Sequence, residues 1–295
     1  MVGREEKDRR FSRSLFVGAV FVLSLSVFLF MVLFPFRDDS LTRVEEKGIR
    51  IGYAVEAPYA FLTPAGEPTG EAPEEARVVA RKLEIDPILW RQVEFDSLID
   101  ELEAGRIDVI AAGLFITPER KERIRFSLPT FQVKPGLLVP KGNPLNLQSY
   151  ADLVQADEGV VIVLAGSVEA RTLLELGLPE ERLKAVPDVT TGLAALEAGL
   201  ADALALSSPS LQWLAVKGRL RETESVALSG LTASEEPQYG AFAFRKEDRR
   251  LRQAWNAVLK SYIGSPEHLA LVAPFGFSAE EIPGGTSSPS QESRP

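Results

Sequence analysis

Arg120 closes the run Thr117-Pro118-Glu119-Arg120, where a threonine cap and a proline at the first helical position place it in the opening turn of a helix. A guanidinium there offers a planar fork to a carboxylate, beside backbone N–H groups that already favour anions. Glu56 leads Ala57-Pro58-Tyr59 in a loop and supplies the opposite charge, for a ligand's N–H groups. Tyr59, Phe95 and Phe115 add aromatic faces. Each attracts a diffuse cation by about 0.5–2 kcal/mol once water is excluded. Together these parts complement a compact zwitterion. Read singly, each has an ordinary alternative. Phe95 and Phe115 flank strands, where aromatics are core. Arg120 lies in the charge-rich run 119–125, whose default place is a solvated helix face, and Glu56 would be a loop charge.

The inventory narrows the chemistry further. The 295 residues include no cysteine, which excludes disulfides, thiolate nucleophiles, iron–sulfur clusters and a lipid-modified cysteine. One histidine, His268, gives no imidazole pair for a metal and little basis for a Ser-His-Asp triad. It is expected to face solvent or cap a helix, without a functional role. Neither a metal nor a cofactor is expected. A formal charge of −9 argues against a nucleic-acid partner, which needs a basic face. Trp90, Trp213 and Trp255 read as packing.

The positioning elements begin after a membrane device. Residues 1–14 are net positive, and residues 15–36 carry no charge. A helix of that length spans about 30 Å, the hydrocarbon thickness of a bilayer. The Pro-Phe-Arg-Asp-Asp sequence that follows offers no small-residue cleavage site, which favours an uncleaved anchor over a signal peptide. The basic residues would hold residues 1–14 in the cytoplasm, with everything from about residue 37 exported. Residues 37–47 read as a polar stalk.

Beyond it, helical and strand patterns alternate. A strand over 49–54 enters the Glu56 loop; helices are expected at 73–83 and 96–104, and strands at 90–95 and 108–113. A second series follows Lys141-Gly142-Asn143-Pro144: helices at 147–154, 190–198 and 209–216, and strands at 159–165 and 203–206, with Gly166-Ser167 opening one further helix. This alternation predicts an α/β fold with mainly parallel sheets. Leu251, Ala254, Trp255, Val258, Leu259 and Tyr262 have the spacing of an amphipathic helix. Residues 278–295 have the composition of a disordered tail.

Three stretches resemble the family 3 solute-binding proteins of ABC importers. The first is Ile49-Arg-Ile-Gly-Tyr with Ala57-Pro-Tyr-Ala-Phe, Gly66 and Thr69-Gly70. The second runs from Phe95-Asp-Ser-Leu to Gly105-Arg-Ile-Asp108. The third is Ala112-Gly-Leu-Phe-Ile-Thr-Pro-Glu-Arg120, continuing to Phe126-Ser127 and Pro129. The resemblance covers 49–277 and ends on Gly276-Phe277. It implies a two-lobed periplasmic-binding-protein-like fold of type II, whose ligand lies between lobes joined by two crossing strands. Lobe 1 would hold 48–138 plus 239–277 and lobe 2 139–238, with crossings near 137–141 and 238–242. The wording around Glu56, Gly70-Glu-Ala-Pro73, Lys141-Gly-Asn-Pro-Leu145 and the third stretch is most similar to the ectoine/hydroxyectoine-binding branch.

That branch implies three rings around the ligand, at Tyr59, Phe95 and Phe115. It also implies a ring-nitrogen contact from Glu56, a carboxylate contact from Arg120, and lobe-2 donors at Gly166 and Ser167. The partners implied are a small zwitterion (ectoine, hydroxyectoine or an amino acid), the permease subunits of an importer, and the membrane. Binders of common α-amino acids usually carry an acid after the lobe-2 strand; Ala205-Leu-Ser-Ser-Pro-Ser210 has none. A buried ammonium without a carboxylate is costly, so this departure points away from them. Ser167 in place of Thr, and Val55 in place of a common Asn, leave the ligand open. Two other functions share the scaffold. A cyclohexadienyl dehydratase would need a general acid, and Glu56 and Glu169 present no evident acid–base pair. A sensory ectodomain would need a separate signalling chain.

Overall fold

A computed structural model describes residues 38–156, 158–217, 222–228 and 238–284. The expected membrane span, 15–36, lies outside these residues. Among the described residues no helix is long and apolar enough to cross a membrane.

The described chain opens with helix α1, Ser40–Lys47, where the composition had suggested a stalk. Val44 on this helix is fully buried against the cluster built around Leu251 and Trp255, and Ser40 Oγ accepts from the Leu251 N–H at 3.2 Å. One apolar anchor and one cap thus dock a polar segment. Strand β1 (Ile49–Tyr53), the short strands β2 (Phe61–Leu62) and β3 (Pro68–Thr69), helix α2 (Glu71–Lys82) and strand β4 (Ile88–Gln92) follow. After a single 3-10 turn come α3 (Leu98–Glu103), β5 (Val109–Ile110), α4 (Pro118–Arg123) and β6 (Arg125–Phe126). Next are β7 (Phe131–Val133) and β8 (Pro135–Pro140).

The second series is α5 (Tyr150–Gln155), β9 (Val161–Leu164), α6 (Val168–Glu175), β10 (Leu183–Val186) and α7 (Val189–Glu197). It continues through β11 (Ala203–Ser207), α8 (Ser208–Val216) and β12 (Thr223–Ala227). The chain returns through β13 (Gln238–Gly240) and β14 (Ala243–Phe244), then α9 (Arg249–Tyr262) and α10 (Pro266–Val272).

Two five-stranded sheets result, with orders β4-β1-β5-β14-β6 and β10-β9-β11-β8-β12. In each, three neighbouring strands are parallel and the other two pairings are antiparallel. The second sheet shows why its strands read as unbroken apolar runs. Val161 and Val163 of β9 enter one cluster with Tyr150 and Leu173, while Ile162 and Leu164 enter the opposite one with Leu193 and Leu211. Alternate side chains face opposite sides, and helices cover both. Burying each such side chain stabilises the lobe by about 1.5–3 kcal/mol.

The lobes are joined by an antiparallel ribbon in which β13 pairs with β7, Tyr239 opposite Gln132. A single residue, Lys134, separates β7 from β8. Leu137 and Leu138 already pair with Ala205 and Leu204 in the second sheet. The first crossing therefore falls at 131–134, before the 137–141 expected from sequence.

Two further expectations are corrected. His268 is fully buried, packed beneath Tyr262 with ring centroids 5.1 Å apart. Its Nδ1 accepts the Gly264 N–H at 3.1 Å, so the proton of the neutral ring sits on Nε2, which donates to Glu75. Burial pushes His268 down to about 4 and Glu75 up to about 8. Within the supposed tail, Ile282 is buried and Gln132 N–H donates to Glu281 O at 2.7 Å, so 278–284 is part of the fold. Residues 285–295 lie outside the described residues.

Candidate functional site

The Glu56 loop is a closed turn: Glu56 and Ala60 exchange backbone hydrogen bonds of 2.8 and 3.0 Å. The first amides of α2 hold it from behind, Glu71 N–H on Pro58 O and Ala72 N–H on Tyr59 O, both at 3.0 Å. Gly113, at φ +63°, lets the next strand pass, because a Cβ there would lie 2.5 Å from the Tyr59 ring. Only glycine accepts both that backbone and that contact. Tyr59 is consequently 1% exposed.

Its ring packs 5.0 Å from Phe131, 5.7 Å from Phe277 and 6.3 Å, edge-on, from Phe115. The aromatic wall therefore consists of Tyr59, Phe115, Phe131 and Phe277. Phe95 stands apart from it, with the Arg120 guanidinium 5.7 Å above its ring. Phe277 entered the sequence reading only as the end of the family resemblance, and Phe131 had no signal beyond its place in a short apolar segment.

A chain of hydrogen bonds spans the lobes. Tyr59 OH donates to Ser207 Oγ at 2.9 Å, Ser207 Oγ meets Ser210 Oγ at 3.2 Å, and Ser210 Oγ donates to Glu56 Oε1 at 3.1 Å. The acid-free stretch 205–210 thus provides hydroxyls to the cleft. Burial pushes Glu56 up to about 8, and the nearby Glu169 carboxylate adds to this while the Ser210 hydroxyl opposes it. Burial also raises Glu169, against the pull of its own N–H, the Ser167 hydroxyl and Arg120.

Thr117 does cap α4: its Oγ1 accepts from Arg120 N–H at 3.2 Å. From that first turn the Arg120 side chain reaches across the cleft. Nη1 donates to Phe115 O at 2.8 Å and Nη2 to Gly166 O, in lobe 2, at 2.9 Å. Burial lowers Arg120 to about 10, partly countered by Glu169. No ion pair among the described residues joins Arg120 to a carboxylate. Ser167 Oγ is turned to its own helix, capping α6 by accepting from Ala170 N–H at 3.2 Å. Outside the cleft, Glu119 of lobe 1 pairs with Arg171 of lobe 2. Among the described residues no cluster of His, Cys, Asp and Glu could hold a metal.

The arrangement is a clamp holding a half-buried cation, Arg120, a half-buried acid, Glu56, and a buried one, Glu169. Arg120 and Glu56 are each satisfied by neutral groups, in part from the opposite lobe. It can recognise opposite charges at two ends of a small molecule. Of the residues expected from sequence, the structure brings Glu56, Tyr59, Phe115, Arg120 and Gly166 to where the lobes meet, puts Phe95 under Arg120, and uses the Ser167 hydroxyl as a helix cap.

Residues 49–276 match the profile of the bacterial extracellular solute-binding proteins, family 3. The chain is 34% identical to a probable amino-acid ABC transporter periplasmic-binding protein of Sinorhizobium fredii (strain NBRC 101917 / NGR234), over 82% of each chain. The crystal structure of EhuB in complex with hydroxyectoine superposes with a TM-score of 0.76 at 31% identity, covering 82% of this chain and 93% of that one. An ancestral amino acid-binding protein described as a precursor of cyclohexadienyl dehydratase superposes at 0.70 with 25% identity, covering 80% and 99%.

Proposed function

The chain belongs to the bacterial extracellular solute-binding proteins, family 3, and on that premise we propose that it is the extracytoplasmic substrate-binding component of an ABC importer for a compatible solute of the ectoine and hydroxyectoine class. Segment 15–36 would tether it to the membrane, and the closed clamp would deliver its ligand to the permease subunits. The observation that carries this reading is that Arg120 and Glu56 stand half-buried where the lobes meet, each bonded to neutral groups and not to each other. A ligand carboxylate on the remaining Arg120 N–H groups and a ligand amidinium on Glu56 would satisfy both. Such charge-assisted hydrogen bonds are about twice as strong as those to neutral groups. The likeness to a hydroxyectoine-bound structure supports the choice of ligand class.

Closure follows from contacts that require both lobes: Tyr59 on Ser207, Ser210 on Glu56, and Arg120 on Gly166. A ligand that strengthens them shifts the population toward the closed state by its differential affinity. The reading is one of binding without chemistry. Glu56 and Glu169 are both raised in the same direction, whereas a general acid and base need environments that push them apart. Calorimetry with ectoine, hydroxyectoine and a panel of amino acids tests the specificity. It fails if an amino acid binds at micromolar level and neither ectoine does. Incubation with prephenate or arogenate, with assay for the aromatic product, tests the absence of chemistry.

A further inference from the structure

The lobes also meet through a pair of aromatic rings. Phe61, on β2 in lobe 1, packs against Trp213, on α8 in lobe 2, with ring centroids 5.0 Å apart and planes tilted by 48°. Within its own lobe Phe61 meets Phe275 edge-on, at 6.1 Å and 74°. Phe275 packs in turn against the cluster that includes Tyr59 and Phe277. Lobe 1 thus fixes the Phe61 ring from behind and presents it to lobe 2. Neither Phe61 nor Trp213 lines the cavity of about 340 Å³ that opens beside Glu56 and Phe95.

Both supports are braced. Strand β2 pairs with β3, Phe61 opposite Thr69. Arg77 of α2 holds this hairpin: Nη2 donates to Pro68 O at 2.6 Å and Nη1 to Glu74 Oε1 at 2.7 Å, and Thr69 Oγ1 donates to the same carboxylate oxygen at 2.8 Å. On the other lobe, Leu211 and Leu214 root α8 in the core, while Trp213 is half-buried and has the Lys217 ammonium 4.4 Å from its ring centroid.

Sequence position ties the contact to the cleft. Phe61 follows Tyr59 by two residues, and Trp213 follows Ser210 by three, on the same face of α8. Tyr59 reaches Ser207 and Ser210 reaches Glu56 across the lobes. The rings therefore stand one step outside the two hydroxyl bridges, on the same two segments, and set how closely α8 approaches the Glu56 loop. The ion pair of Glu119 with Arg171 also joins the lobes, but its carboxylate is exposed, and salt and side-chain entropy leave such pairs little. Packed rings hold better.

We infer, resting on the solute-binding reading above, that Phe61 and Trp213 form an aromatic latch on the closed clamp, a pair of positioning residues that set affinity and residence time without touching the ligand. The contact requires both lobes and is lost when they part. Because it consists wholly of protein, it favours closure by the same factor for every ligand. Substitutions in the cleft reorder ligands, whereas substitutions in the latch scale them together.

Calorimetry and stopped-flow kinetics with ectoine and hydroxyectoine test this on the wild type, Phe61→Ala, Trp213→Ala, Trp213→Phe and the double alanine variant, with circular dichroism to verify folding. Each alanine variant should weaken both ligands by a common factor of about five- to tenfold, mostly through faster dissociation. Trp213→Phe keeps a ring and should stay within about threefold of the wild type. The double variant should bind about as well as the weaker single variant, because the two rings act on each other. Unchanged affinity in both alanine variants, losses that multiply in the double variant, or losses that differ between the two ligands overturn the latch. A second arm needs no ligand. The chain has no cysteine, so Ala65→Cys and Gln212→Cys, exposed beside the two rings, give a unique pair of spin labels on the full chain. Pulsed electron paramagnetic resonance should find the short, closed separation depleted in Phe61→Ala; identical distance distributions overturn the latch. If neither ectoine binds but the label distances shift in Phe61→Ala, the compatible-solute reading fails and the latch stands.

Discussion

With the ligand's cation on Glu56, as proposed, ligand affinity depends on pH in a calculable way. The ordinary value of this carboxyl is 4.5, and enclosure between the lobes beside Glu169 raises it to about 8. At pH 6 the ligand-free clamp therefore holds Glu56 protonated. An amidinium seeks the ionised form, so binding must expel that proton. Each pH unit below about 8 weakens binding about tenfold, or about 1.4 kcal/mol. The dissociation constant of ectoine should thus fall about 50-fold between pH 6 and pH 8, and about twofold more before levelling off near pH 9. Neither the amidinium nor the carboxylate of ectoine titrates in that window, so the slope belongs to the protein. Titration calorimetry at pH 6, 7, 8 and 9, in two buffers of different ionisation enthalpy, reads the affinity and the protons released. About one proton per ligand should appear at pH 6 and almost none at pH 9. Glu56→Gln should bind weakly at every pH, with a flat profile. An affinity constant from pH 6 to pH 8, with no proton released, would falsify the assignment of Glu56 to the ligand's cation.

Other residues give independent checks. Arg120→Lys keeps the charge but loses the fork shared by Phe115 O and Gly166 O, and should cost at least tenfold in affinity with little change in melting temperature. Tyr59→Phe removes the hydroxyl that crosses to Ser207, so calorimetry should find about three- to tenfold weaker binding, the worth of one hydrogen bond of about 0.5–1.5 kcal/mol. His268→Ala strips the partner from the buried Glu75 and opens a void beneath Tyr262. Urea unfolding should register a loss of about 2–4 kcal/mol, with ligand affinity per folded molecule little changed.

The α/β alternation was legible because strands buried on both faces, such as Val161–Leu164, have no polar side to disguise them. The Arg120 turn was legible because cap, proline and arginine are neighbours in sequence. Distance along the chain hid the rest. Ser207 meets Tyr59 across 148 positions, and Glu75 meets His268 across 193, so local context suggested solvent for the histidine. The first crossing was misplaced because β7 and β8, one residue apart, have no turn signal between them. The opening helix was missed because composition alone cannot reveal that Val44 has a Trp255 cluster to enter. Phe95 illustrates another limit. The resemblance groups it with Tyr59 and Phe115, but what it stacks on depends on how far Arg120 reaches.

The ribbon that joins the lobes has almost no slack. Lys134 alone separates β7 from the second sheet, and Ala241 and Phe242 alone separate β13 from β14 in the first. On this side of the ribbon, rotation of one lobe against the other is therefore confined to the few backbone torsions around Lys134. A junction that short acts as a stiff hinge on that strand, and its stiffness would set how much ligand free energy goes into movement and how much into grip. Lengthening the Lys134 junction by one glycine would uncouple the two, leaving each half of the cleft intact but without a fixed angle at which to meet.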